Sequence, residues 1–206
     1  MAHQAQQDFC NSIRQLFPDH FRAKTVLDVG SLDINGNNRY LFADCDYLGI
    51  DIGPGPNVDL VCPVHLYPGE EQFDTIISTE ALEHDEYWQD SLRACVRLLK
   101  PGGLFLFTCA TTGRKEHGTR RTTPGDAPHC GDYYKNLTVE DIWQAIPSLP
   151  RQRPESGLHF ERHEFEVNDR THDLYFWGIK RNDNAWGRQI GELDAASEAW
   201  LRGETE

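Results

Sequence analysis

Apolar residues recur along the chain with two different periods, and the alternation between them outlines the fold. Phe9, Ile13, Leu16 and Phe17 fall at i, i+4, i+7 and i+8, one face of a helix that Pro18 and Asp19 end. Residues 24–30 then form a short apolar run closing on Gly30, the pattern of a buried parallel strand entering a turn. A short helix is expected from about Asn37, carrying Tyr40, Leu41 and Phe42. Residues 47–51 read as a second strand, followed by the breaker run Gly53-Pro54-Gly55-Pro56. Residues 58–61 and 73–78 read as a third and a fourth.

The strongest helix comes next. Trp88, Leu92, Cys95, Val96 and Leu99 fall at i, i+4, i+7, i+8 and i+11, and Pro101-Gly102-Gly103 stops the pattern. Residues 104–108 are a fully apolar strand. Residues 110–135 have no clean period; a loop of that length inside a compact domain tends to be functional, so a lid is expected there. A helix over residues 137–146 has Thr138 as N-cap and Asp141 at its third helical position, a near capping box. Residues 159–167 and 171–180 read as two strands joined by the Asn168-Asp169-Arg170 turn. Ile190, Leu193, Trp200 and Leu201 mark a last amphipathic helix. Strands alternating with helices predict a doubly wound, Rossmann-like α/β sheet with helices on both faces, and the closing hairpin adds an antiparallel strand at one edge. In such sheets ligands sit at the carboxyl ends of the strands, which gathers Gly30, Asp51, residues 78–80 and residues 108–110 around one crevice.

Composition narrows the function classes. With 206 residues, 38% hydrophobic and 26% charged, the chain fits a single domain over residues 1–206. Its net charge of −13 argues against nucleic acid as the main partner, because phosphate binding needs a basic face. No apolar stretch approaches the roughly 18 residues of a membrane span, and the first seven residues lack a signal-peptide pattern, so no membrane partner and a cytoplasmic location are expected. Cys10, Cys45, Cys62, Cys95, Cys109 and Cys130 are spread singly with no C-x-x-C, as suits reduced packing residues.

The chemistry concentrates in a few segments. Asp28-Val29-Gly30 is an acidic residue and a glycine turn at a strand end, and Asp51 lies 23 residues after Asp28, at the end of the next strand. A carboxylate there can accept both hydrogen bonds of a ribose diol. Together with Phe73-Asp-Thr-Ile-Ile-Ser-Thr-Glu-Ala-Leu-Glu-His84 and Leu98-Leu-Lys-Pro-Gly-Gly103, these residues resemble a class I S-adenosylmethionine-dependent methyltransferase, of the small-molecule group with a Leu-Glu-His segment after the fourth strand. The resemblance covers about residues 24–110. An NAD-dependent enzyme fits less well, since G-x-G-x-x-G is absent and residues 30–36 hold only Gly30 and Gly36.

The resemblance implies a seven-stranded sheet and S-adenosyl-L-methionine as cofactor. It implies that Gly30 and Ser31 approach the methionine part, that Asp28 holds the turn or reaches the amino group, and that Asp51 binds the ribose with Ile52 against adenine. Thr79 is an expected cofactor contact, and Glu80, just past the fourth strand, lies where the family lines the methyl-transfer site. Two positions depart from the pattern. Ser31-Leu32-Asp33 replaces the second glycine of the usual turn, and Pro63 stands where an acid often meets the adenine amine, leaving Val64 and His65 to read adenine. His84 is the expected base, with Glu80 beside it, because a neutral imidazole suits removal of a proton from a hydroxyl. The alternative is a histidine that only holds the loop.

In the loop, Arg114, Lys115, Arg120 and Arg121 form a basic cluster, and Tyr133 and Tyr134 close it. With His117 these arginines and tyrosines are the expected acceptor contacts. His117 and His129 are separated by 11 residues with no second paired ligand spacing, so no metal is expected despite Glu116, Asp126, Cys130 and Asp132 nearby. The expected function is methyl transfer to an oxygen or nitrogen of a small acceptor of anionic or sugar-like character. The competing expectation is a cofactor-binding fold without chemistry that serves as a partner subunit; cofactor titration and a labelled-methyl screen separate the two.

Overall fold

The computed structural model describes residues 3–146 and 159–182, and the amphipathic helix expected near Ile190 to Leu201 lies outside them. Helix α1 (Gln4–Leu16) turns Phe9, Cys10 and Ile13 inward. Leu16 shares their spacing yet is 55% exposed, because the helix ends there and the chain turns at Phe17 into a 3-10 turn at Pro18–Phe21. Strand β1 (Thr25–Val29) follows, then a 3-10 turn at Arg39–Leu41 in place of the expected short helix, then β2 (Asp46–Asp51). The third strand is shorter than expected. Only Leu60–Val61 (β3) pairs with β2, because Gly53 to Pro56 delay the return of the chain to the sheet edge.

Strand β4 (Phe73–Thr79) leads through a 3-10 turn at Leu82–His84 to α2 (Trp88–Leu98), which buries Trp88, Leu92, Cys95 and Leu98. Strand β5 (Leu99–Ala110) starts directly after it. Its register against β4 shifts between Leu99 and Leu104, so Pro101-Gly102-Gly103 forms an irregularity inside the strand rather than a loop before it. Helix α3 (Val139–Ala145) opens with a full capping box: Asp141 N donates to Thr138 Oγ1 (3.2 Å) and Thr138 N to Asp141 Oδ2 (2.9 Å). Strands β6 (Phe160–Asn168) and β7 (Asp173–Lys180) close the described chain.

The seven strands lie in the order β3-β2-β1-β4-β5-β7-β6. The first five are mutually parallel; β7 runs antiparallel to both β5 and β6. The second strand of the hairpin therefore inserts next to β5, and β6 becomes the outer edge. Strand alternation fills two layers. Leu27, Val29, Ile76, Phe105 and Phe107 point toward α2 and α3, while Val26, Ile77, Leu104 and Leu106 meet Phe9 and Ile13 of α1. Each fully buried large side chain contributes about 1.5–3 kcal/mol. Asp28 alternates with Val26 and so faces the α1 layer. The chain reverses between β1 and β4, and a crevice opens there at the carboxyl ends of the parallel strands.

All six cysteines are free thiols, and Cys10, Cys95 and Cys109 are buried. No helix among the described residues is long and apolar enough to cross a membrane.

Candidate active site

A cavity of about 590 Å³ fills that crevice, within the range of small-molecule sites. Its floor is the turn after β1. Gly30 has φ +74°, and a Cβ built on it would lie 2.3 Å from Ala81 Cβ, so the turn after β1 is laid directly on the turn after β4. Only glycine meets both demands. Gly30 N and Ser31 N both donate to Ile50 O, at 2.9 and 3.0 Å, which fixes the turn to β2.

Asp28 is buried under this turn. It accepts hydrogen bonds from Asn38 Nδ2 (3.1 Å) and from the Tyr47 hydroxyl, and Asn38 Nδ2 also reaches Thr79 Oγ1 (3.1 Å). Burial pushes the Asp28 carboxyl up to about 6, against the lowering effect of those two partners. With both oxygens engaged, Asp28 holds the floor together. Asn38 and Tyr47 join β1, β2 and β4 here, and the sequence reading missed both because neither belongs to a spaced motif.

Asp51 ends β2. Leu32 N donates to its Oδ2 (3.2 Å) and Gly53 N to its Oδ1 (3.1 Å), which orients the carboxylate and leaves further lone pairs on each oxygen. Ile52, Leu66, Ile34 and Tyr87 line the same cavity with large apolar surfaces exposed, from 39% to 67%. Such exposed apolar groups around one cavity mark a binding surface. Pro63, Val64 and His65 form the wall beside them, with the His65 ring 4.6 Å from that of Tyr87. Ser31 also lines the cavity, but its hydroxyl donates to Asn57 O (3.1 Å) and braces the turn.

Glu80 and His84 line the opposite end. Glu80 has φ +53°, a left-handed conformation that is uncommon outside glycine and clusters at functional positions. Thr108 Oγ1 donates to its Oε1 (2.9 Å), and Oε2 is buried without a hydrogen bond. Burial first, then the neighbouring Glu83 charge, pushes Glu80 up to about 8. His84 is buried too; burial and then His117 bring its imidazole down to about 3. The ring is therefore neutral, as expected of a base, yet a group so easily deprotonated is a weak proton acceptor.

The loop at residues 111–136 brings different residues to the cavity from those expected. Asp126, Pro128, His129 and Cys130 line it, and the His129 ring covers Gly53, where a built Cβ would lie 2.1 Å from the ring. Arg120 and Arg121 do not. Arg121 pairs with Glu116 (2.7 Å) and Arg120 with Asp132 (3.9 Å), both exposed and outside the cavity. Arg114 is committed to the protein. It pairs with the buried Asp173 at 3.1 Å, donates to Thr171 O (2.7 Å) and lies 3.8 Å from Glu80. Tyr134 and His117 pack on the His84 ring, with centroids 5.4 and 4.9 Å away. Tyr133 packs on the core. None of Arg114, His117, Tyr133 and Tyr134 lines the cavity directly. Three of the four charges of the basic cluster thus pair with acidic neighbours within the protein.

The arrangement of sheet and crevice is that of a class I methyltransferase fold. A methyltransferase domain family matches residues 1–146, and the chain belongs to that family. Among solved structures it is similar to the 1,6-didemethyltoxoflavin-N1-methyltransferase of Burkholderia thailandensis, bound to 1,6-didemethyltoxoflavin and S-adenosylhomocysteine. That match has TM-score 0.54 and 15% identity, and covers 88% of this chain and 93% of that one. The N-methyltransferase NodS of Bradyrhizobium japonicum, with S-adenosylhomocysteine, gives 0.55 and 14%, covering 85% and 87%. The phosphoethanolamine N-methyltransferase 2 of Haemonchus contortus gives 0.57 and 14%; the match covers 85% of this chain but about half, 53%, of that one. At such identities the likeness is one of fold. No curated protein sequence matches the chain.

Proposed function

We propose that this protein transfers a methyl group from S-adenosyl-L-methionine to an oxygen or nitrogen of a small acceptor. The observation that carries the reading is the cradle between Gly30 and Asp51, where a close glycine turn and an oriented carboxylate face one cavity. The residues fit the cofactor. Asp51 would hold the ribose hydroxyls, Ile52 and Leu66 would flank adenine with Val64 and His65 at its edge, and Gly30 and Ser31 would admit the methionine part. The bound sulfonium supplies an activated methyl carbon. That the three similar structures hold S-adenosylhomocysteine supports the choice.

The acceptor would enter at the end bounded by Glu80, His84 and the loop's Pro128 and His129. In-line attack on a methyl carbon depends on positioning and exclusion of water, and both follow from the buried character of this end. Glu80 and His84 are the groups that would face the reacting atoms. Titration calorimetry with S-adenosylhomocysteine tests the cofactor site, and transfer of labelled methyl to fractionated metabolite pools tests the chemistry. Binding without transfer to any pool would favour the partner-subunit alternative; absence of binding would end the reading.

A further inference from the structure

Beside the cavity, the structure leaves a set of metal-binding atoms buried and unsatisfied at one place. Glu83 is fully buried, and among the described residues neither of its carboxylate oxygens has a hydrogen bond of normal geometry. Among the described residues His84 Nδ1 and His117 Nε2 are buried without hydrogen-bond partners as well. One ligand atom from each residue lies within 4.8 Å of the other two. Buried polar atoms are normally paired, so four orphans at one point need an explanation.

From these atoms we infer a binding site for a divalent transition-metal cation, held by Glu83, His84 Nδ1 and His117 Nε2. Two imidazoles and one carboxylate are a donor set for zinc and its first-row neighbours, rather than for calcium or magnesium, which take mainly oxygen. His117 has the right tautomer for the task. Its Nδ1 lies 3.1 Å from Lys115 O; a proton donated there leaves Nε2 as a bare acceptor, the usual arrangement of a metal-ligating histidine. The His84 ring is oriented by Gly118, at φ +72°. A Cβ built there would lie 3.0 Å from Nδ1, so the loop backbone is laid against the edge of the ring that carries this atom.

Charge points the same way. Glu80, Glu83 and Asp173 are three buried carboxylates in one region, and Arg114 is the cation set among them. Asp173 pairs with Arg114 at 3.1 Å and lies 2.9 Å from His3 Nε2, so the second cluster, of His3, Glu80 and Asp173, already has a guanidinium against it. Among the described residues Glu83 has no ion pair of its own, and its carboxylate is the one a dication would meet. Tetrahedral zinc with bonds of about 2.0–2.2 Å places its ligand atoms about 3.4 Å apart, a contraction that small side-chain rotations accomplish.

Spacing along the chain conceals the site. Glu83-His84 sits in the turn before α2 and His117 in the loop after β5, 33 residues later. Their meeting ties the loop to the wall of the cavity, since His84 lines it and residues 126–131 roof it. Three protein ligands leave a coordination position for water or an acceptor oxygen; only the acceptor part of this statement rests on the methyltransferase reading.

The test uses the full chain, stripped with a chelator and titrated with Co²⁺ and then Zn²⁺. One equivalent of Co²⁺ should give visible d–d absorption that Zn²⁺ abolishes, with release of protons from the ligands. Glu83→Gln and His117→Ala should each weaken Zn²⁺ binding by more than the roughly 10–100-fold that loss of an outer-sphere partner costs. His163→Ala, on the edge strand β6 and outside both the cavity and the cluster, should bind as the wild type does. Circular dichroism confirms that each variant folds. Absence of a Co²⁺ spectrum, or binding that survives both ligand substitutions, overturns the site. So does a Glu83→Gln protein that is merely more stable, with Zn²⁺ affinity unchanged. Titration of the stripped protein with S-adenosylhomocysteine runs alongside, so that failure of the metal site is not mistaken for failure of the cofactor site.

Discussion

Replacing Gly30 by alanine probes the contact on which the cavity floor depends. Two effects add. At φ +74° an L-residue is strained by about 1–2 kcal/mol. The new methyl would stand 2.3 Å from Ala81 Cβ, and overpacking of this kind costs about 1–3 kcal/mol. The sum is about 2–5 kcal/mol, expressed as lost stability if the turns stay in place and as lost cofactor affinity if β1 and β4 part. Urea unfolding with an unchanged m value reads the first, and calorimetry with S-adenosylhomocysteine reads the second. Ala81→Gly in the same chain removes the clash but not the φ strain. Ala81 has φ −122° and ψ −37°, so glycine there should cost only about 0.5–1 kcal/mol by itself. The double variant should therefore be better than additive by at least about 1 kcal/mol. If Gly30→Ala loses less than about 1 kcal/mol in both assays, or the two substitutions simply add, the close approach is not what holds the floor.

Asp51→Ala should weaken S-adenosylhomocysteine binding by about 1.5–3 kcal/mol in calorimetry, the size of hydrogen bonds to a charged group, with the fold kept. Asp28 should make stability fall with rising pH. Its folded carboxyl, near 6, lies above the unfolded value of 3.8, so its contribution is full below about pH 4 and lost as pH passes 6. Relative to Asp28→Asn, the wild type should lose on the order of 3 kcal/mol between pH 4 and 7 in urea melts; parallel curves for the two proteins would contradict the burial argument. Arg114→Ala leaves Asp173 buried without its guanidinium and should cost about 3–5 kcal/mol of unfolding free energy, part of it recovered by adding Asp173→Asn.

Much of this protein follows from local order along the chain. Short apolar runs ending at Gly30 and Asp51, the period of Trp88 to Leu99, and Thr138 with Asp141 each act within a few residues. Those interactions are the same wherever the segment lies, so element order, and with it the doubly wound sheet, could be read directly. The place of Asp51 at the crevice was legible for the same reason, since a strand end positions its own last carboxylate. What lay beyond reach depends on which distant segments meet. Asn38 and Tyr47 reach Asp28 only because β2 lies beside β1 and β4 on its other side. That Arg120 and Arg121 pair with Asp132 and Glu116 is likewise decided by the folding of the loop. Glu83, His84 and His117 share no spacing, and only the return of the loop after β5 puts their atoms together. Hydrogen bonds and ion pairs act over a few ångströms in space, whatever the separation in sequence, and those distances are set by packing of the two core layers.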